Sequence, residues 1–280
     1  MGRMTPEVLM GELSLMWQDI FNWASWTIVL VMLVIATRMS VRQRTPFFVF
    51  AVLAVGVGAF IEPLYDVAFD LWFNDVHNGQ PGAMVSHFTA FGVIQPIWAI
   101  SGYIILYAMA CLYAGRMMYE GRVTTRILYL IWFAEIVASC IFEVIGTGVG
   151  MYTYYGPYVL RIWNYPLVIA FLEGTQVVLF TVVAVQWWRR VSSPLGLAGL
   201  FVIFPVTFLG ANCGIGGPIV IALHLSEGLF SQQIVWFATI LTIGLCGLAV
   251  YGASRFLPTE PVAHRQRIPE SIMYPQTAEA

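Results

Sequence analysis

The sequence predicts an all-α integral membrane protein, a seven-transmembrane-helix bundle with its N-terminus outside and its C-terminus cytoplasmic. Three observations predict it. Of the 280 residues, 59% are hydrophobic and 10% charged, with a mean hydropathy of +0.79, well beyond a soluble domain. Seven apolar stretches approach or exceed the ~20 residues that a bilayer crossing needs. When those stretches alternate in direction, eleven of the thirteen basic residues, all of them arginine, fall on one side.

Taken in order, the start is acidic and amphipathic, without the basic n-region of a cleaved signal, so the first apolar stretch is expected to stay. The spans are expected at 19–38, 46–72, 87–114, 126–150, 164–188, 195–224 and 229–256. Arg38, Arg42 and Arg44 follow the first span, and Arg116, Arg122 and Arg126 link the third to the fourth. Arg189 and Arg190 follow the fifth, and Arg255, Arg265 and Arg267 follow the seventh. Arg3 and Arg161 alone remain outside. The reading is one membrane domain over 1–257 and a polar, Pro-rich cytoplasmic tail over 258–280, expected to be disordered. The long outer loops, 73–86 and 151–163, carry aromatic or histidine side chains, which places function on that side.

Intramembrane acids are the informative residues. A carboxylate in mid-helix costs about 2.5–3.5 kcal/mol on insertion scales, so each one asks for a partner, a cavity or a proton. Glu62, Asp66 and Asp70 recur at i, i+4 and i+8 in the second span, with Gly58 one turn inward. Glu135, Ser139 and Glu143 share a face of the fourth span, continued by Gly146 and Gly150. Glu173 and Gln176 lie in the fifth span, below Trp163 and Asn164. In the sixth, the stretch 209–218 ("LGANCGIGGP") holds Asn212 where continuous helix is not expected; irregular backbone at that depth must line a cavity or be buried. Residue counts from the span ends put Glu62, Glu143, Glu173 and Asn212 at similar depth. The expectation is a polar pocket toward the outer leaflet, with Glu143 as one wall and a roof of Tyr152, Tyr154, Trp163 and Asn164. The catalytic candidates are Glu143, Glu62, Glu173 and Asp66. The substrate-binding candidates are Tyr152, Tyr154, Trp163, Asn164, Asn212, Gln176 and Trp98. Set against this are bland roles: a neutral acid bridging helices, Gly-x-x-x-Gly as plain packing, and an interfacial aromatic belt.

Several chemistries drop out. The chain has no lysine, so a retinal Schiff base is impossible. It has no HxxxH series, no Gly-rich nucleotide loop and no basic patch interleaved with aromatics, so no nucleic-acid partner is expected. Cys111, Cys140, Cys213 and Cys246 lie in apolar stretches without CxxC spacing and read as small core residues. Asp66 and Asp70 are spaced like metal-diphosphate ligands but lack a second acidic motif. His77, His87 and His224, with Asp70, Asp75 and Glu227, have irregular spacing and read as surface histidines. No metal and no cofactor is expected.

Acid chemistry in an oily, aromatic pocket remains. A carboxyl group facing apolar surroundings keeps its proton at neutral pH and delivers it to an alkene or epoxide, and aromatic faces stabilise the resulting cation. The pattern Glu143, Gly146, Gly150, Tyr152, Tyr154 and, one residue late, Gly156, followed by "WNYPL" (163–167), is similar to the core of integral-membrane carotenoid hydratases. That resemblance covers about 25 residues. The size, the span count and an acid late in the second span also resemble the small membrane terpenoid cyclases of meroterpenoid pathways. Those pair this acid with an aspartate in the last helix, which is absent here, so only Glu62 matches. Both resemblances imply proton-initiated cation chemistry on a polyene: a terpenoid cyclase (isomerase) or a carotenoid hydratase (lyase), multi-pass in the cell membrane, with a lipophilic isoprenoid substrate drawn from the lipid bilayer. Two other classes stay open, a proton-coupled transporter of a small or lipophilic molecule and a non-catalytic membrane scaffold subunit. A blind pocket open to lipid favours the enzyme, and a path past Glu135 to the cytoplasm favours transport.

Overall fold

Apolar runs set the architecture. In the computed structural model, which describes residues 5–225 and 231–259, the chain is mostly helical and forms a bundle. The long helices are α1 (Leu15–Gln43), α2 (Phe47–Ala68), α3 (Ile97–Tyr113), α4 (Thr125–Gly148), α5 (Leu167–Arg190), α6 and α7 (Ser231–Ser254). Helix α6 starts as a 3₁₀ turn at Leu195–Gly199 and runs through Leu200–Leu209. It widens into a π-helical segment at Gly210–Ile215 and resumes at Gly217–His224. Six of the seven are long and apolar enough to cross a membrane, and α3 is a shorter apolar helix of 17 residues. Large apolar side chains such as Trp23, Leu30, Phe133 and Phe237 point outward, the pattern of a bundle whose surroundings are apolar.

Helix α5 is the axis, with 83% of its apolar window buried against 28–56% elsewhere. It packs on α3, α4, α6 and α7, while α1 and α2 close the ring beside α3. Its contact with α4 is close because Gly174 lies against Ile136; a Cβ there would sit 2.9 Å from the Ile136 side chain. Between α3 and α4 the contact is sparse, leaving a seam in the wall.

The strands gather at one end of the bundle, opposite the arginine-rich end. They are β1 (Leu71–Phe73), β2 (Val76–His77), β3 (Gln80–Pro81), β4 (Ser86–Ala90), β5 (Val93–Pro96), β6 (Tyr152–Tyr154), β7 (Arg161–Ile162) and β8 (Tyr165–Pro166). Strand β1 pairs antiparallel with β6, Leu71 opposite Tyr154 and Phe73 opposite Tyr152, so the connections after α2 and after α4 meet as one lid.

The structure departs from the sequence-based expectation in three places. The third span was expected from residue 87, but Ser86–Ala90 and Val93–Pro96 form a hairpin. Phe91 and Gly92 turn it with positive φ, and Pro96 (ψ 148°) starts the helix. The second span was expected to run to 72, but it ends at Ala68; Asp70 adopts a left-handed conformation (φ 50°) and leaves the face shared by Glu62 and Asp66. The stretch 209–218 stays helical, but Gly210–Ile215 is widened to π geometry and the helix re-forms at Gly217–Pro218. Of the expected tail, residues 260–280 lie outside the described residues.

Candidate functional site

Three acids lie at matching height. Glu143 is five residues from the strand-end terminus of α4 at Gly148, Glu62 is six from that of α2 at Ala68, and Glu173 is six from that of α5 at Leu167. At ~1.5 Å per residue each sits about 8–9 Å below the lid. All three line one cavity of about 180 Å³.

Each acid is held differently. Glu173 accepts hydrogen bonds from Ser139, one turn before Glu143 on α4, and from the Tyr165 hydroxyl at 3.3 Å. Glu143 accepts one from the Tyr154 hydroxyl at 3.0 Å, and that hydroxyl also lies 3.5 Å from the hydroxyl of Tyr65. Glu62, only 5% exposed, has no hydrogen-bond partner among the described residues.

The roof follows from strand periodicity. Side chains alternate along a strand, so Leu71 and Phe73 on β1 and Tyr152 and Tyr154 on β6 face the cavity, while Trp72 and Thr153 face away. Phe73, Trp98 and Tyr152 pack ring on ring with centroids 5.6–5.8 Å apart. Tyr65, Tyr103 and Tyr107 extend the aromatic wall. Burial first, then the neighbouring Glu143 carboxyl, pushes the hydroxyls of Tyr152 and Tyr154 well above the usual phenol range, so both are neutral; Tyr154 donates to Glu143, whereas the buried Tyr152 hydroxyl has no hydrogen-bond partner among the described residues. Arg161 fixes this lid from outside, donating to the carbonyls of Tyr154 (3.0 Å), Gly156 (2.8 Å) and Asn164 (2.8 Å). Asn74 donates to Gly150 O at 2.8 Å, where φ of +75° turns the chain out of α4.

Gly146 seats the lid. Its missing side chain makes room for the Tyr152 ring, whose hydroxyl would be 2.3 Å from a Cβ. Gly58 likewise admits Phe204. These glycines seat aromatic rings and leave no space for a ligand.

The cavity brings together Glu143, Glu62, Glu173, Tyr152, Tyr154 and Trp98. It does not include the other predicted site residues. Asp66 lies behind Glu62, taking a 2.6 Å hydrogen bond from Gln95. Trp163 is 80% exposed, and with Asn164 it borders a separate surface groove near Trp17. Gln176 and Asn212 are fully buried between helices; Gln176 donates to Thr207 and Asn212 to Phe208 O. Sequence reasoning missed Ser139 as a partner of Glu173, and also Leu71, Phe73 and Arg161. The LWF and YTY alternation was the available signal for the strand residues.

The histidines are scattered. His77 faces Glu12 at 3.5 Å, His224 faces Asp70 at 3.6 Å, His87 is on β4, and Glu227 lies outside the described residues. Among the described residues no group of three or more His, Cys, Asp and Glu is placed to hold a metal ion.

The cavity reaches the flank of the bundle through the seam. Its lining includes Gly102, Leu106 and Met109 of α3 and Ala138 and Phe142 of α4, and Met109 is 39% exposed on the outer surface. No arginine or histidine lines it. A larger groove of about 580 Å³ between α5 and α7 carries no acid. Comparison of the chain with protein-family models, with curated proteins and with solved structures returns no match.

Proposed function

We propose that this protein is a seven-helix membrane enzyme of isoprenoid metabolism. Its N-terminus is outside and its C-terminus cytoplasmic, and it performs carboxylic-acid-initiated carbocation chemistry, cyclisation or hydration, on a lipophilic polyene. One observation carries the reading. Three carboxyls share an aromatic, cation-free cavity that opens sideways between α3 and α4, where a lipid-dissolved substrate enters without crossing water.

Glu143 is the acid. Its proton goes to the terminal alkene, whose π electron pair forms the new C–H bond and leaves a tertiary cation. The faces of Trp98, Tyr103 and Tyr152 stabilise that cation. In cyclisation a second alkene attacks the cation, and a proton then leaves from an adjacent carbon. In hydration water attacks and gives up a proton. Glu173, whose carboxylate is steadied by donors from Ser139 and Tyr165, accepts that proton in either case. Glu62, without a donor, stays neutral beside it.

The test is mass spectrometry of lipid extracts from hosts making polyprenyl and carotenoid precursors, with and without the protein. A product isomeric with a precursor identifies a cyclase, and one heavier by a water identifies a hydratase. Glu143→Gln is expected to leave folding intact and lower product by at least 100-fold. No new product in any background, or an unchanged product with Glu143→Gln, refutes the reading. A second reading, proton-coupled transport, draws on Glu135, which lines the same cavity nearer the arginine end. Against it, the lining ends at Tyr107, Met109 and Glu135, about ten residues, or ~15 Å, short of the start of α4 at Thr125.

A further inference from the structure

The cavity has a second polar station that the chemistry above does not use. Glu135 lies eight residues before Glu143 on α4, and both line the cavity, so their carboxyls are about 12 Å apart along the helix. Between them the walls are apolar: Gly102, Leu106, Ala138 and Phe142. One Glu135 oxygen accepts a hydrogen bond of 2.5 Å from the Tyr113 hydroxyl across the seam. The other has no partner among the described residues, although the residue is only 6% exposed. That oxygen is not among the fully enclosed ones, so a carboxyl oxygen without a donor stays open at the far end of an apolar channel, where it can accept from an O–H or N–H group.

Resting on the isoprenoid reading, we infer that Glu135 and Tyr113 form the head-group subsite of the same cavity, and that the substrate is a neutral prenyl lipid ending in a hydroxyl. The reacting alkene lies at Glu143 and the hydroxyl at Glu135, with a hydrocarbon run of about 12 Å between them. The charge of the walls decides against an anionic end group. Four glutamates line the cavity with no arginine or histidine, so a diphosphate would enter an acidic site with no countercharge. A hydrocarbon without a hydroxyl would fill the channel and leave the Glu135 oxygen unpaired.

The experiment measures binding, not turnover. Purified protein in nanodiscs is photolabelled with a diazirine analogue of farnesol, and farnesol, farnesene and farnesyl diphosphate compete for labelling, read as adduct mass. Farnesol is expected to compete at about ten-fold lower concentration than farnesene, the effect of one buried hydrogen bond. The diphosphate is expected not to compete. Glu135→Leu should abolish the preference while leaving farnesene competition unchanged. Tyr113→Phe, which keeps the carboxyl, should reduce the preference and serves as the gentler variant for the fold. Equal competition by farnesol and farnesene, a preference that survives Glu135→Leu, or competition by the diphosphate as strong as by farnesol overturns this inference. If the wild-type protein shows the preference and product formation never appears in the lipid extracts, the catalytic reading fails while the subsite stands. Wild-type protein that takes no label overturns both.

Discussion

Replacing Gly146 by alanine adds one methyl group where the structure has no space. The new Cβ would lie 2.3 Å from the Tyr152 hydroxyl oxygen and 2.5 and 2.6 Å from two ring carbons. Carbon atoms rest at ~3.5–4.0 Å, so the ring must retreat by about 1 Å or more. It cannot retreat alone. Tyr152 is held in register opposite Phe73 and packs on Trp98, so β6 moves with it. Overpacking of this kind costs about 1–3 kcal/mol, and the ring that leaves is part of the cavity wall. Thermal unfolding in detergent should therefore show Gly146→Ala destabilised, with product formation reduced. The control is Gly148→Ala, two residues on, where an added Cβ meets nothing within 4 Å and stability should not fall. A double-mutant cycle isolates the cause: Tyr152→Ala removes the ring, so the two changes together should cost at least about 1 kcal/mol less than their sum. Additive costs, or equal effects at Gly146 and Gly148, refute the account of how this glycine seats the lid.

Other consequences follow from the same geometry. Ser139→Ala removes one of the two donors to Glu173 and should lower stability by about 1 kcal/mol in denaturant titration; an unchanged midpoint would place Ser139 outside the carboxyl network. Arg161→Ala takes the donor from three lid carbonyls, and hydrogen exchange over residues 152–158 should accelerate with little change in the helices; equal protection in both proteins would contradict its bracing role. Glu173→Gln should fold normally and lose or redirect product, because the acid with two donors is the one poised as a carboxylate to take the proton; wild-type product yield would assign that step to Glu62 instead.

Much of the bundle is legible in the sequence because each helix is a local property: a long apolar run with arginines at one end. The common height of Glu62, Glu143 and Glu173 is legible for the same reason, since it needs only residue counts from the ends. Height leaves rotation open, however. Asn212 and Gln176 face a buried helix interface rather than the cavity, because the turn of α6 and α5 about their own axes is set by packing partners far away in sequence; they also lie deeper, 12 and 9 residues from the strand-end termini at His224 and Leu167. The lid is illegible for a related reason. Leu71 and Tyr154 are 83 residues apart, and neither strand alone is long enough to announce a partner. The hairpin at 86–96 escaped because a short apolar run with Pro96 beside it extends a helix and makes a strand equally well.

The balance between catalysis and transport turns on how the two ends of the cavity are built. A carrier opens each end in turn, so each closure must be weak enough to break and re-form. At the strand end the closure is a sheet ladder between β1 and β6, three mutually packed rings and the Arg161 brace, which leave the bundle little freedom to part there. At the other end the lining stops at Glu135 and Tyr107, with the fully buried Leu128 and Met118 beyond them toward the arginine end. The seam between α3 and α4 has neither feature. Gly102 on one side and Ala138 on the other are among the smallest side chains in the wall, and among the described residues the side-chain hydrogen bond crossing there is that of Tyr113 to Glu135. The easy opening is therefore sideways, toward the surface that the outward apolar side chains leave to lipid. A site that exchanges its ligand with one phase through one door carries no net transport, and that asymmetry is why we propose chemistry rather than transport for the carboxyls that line it.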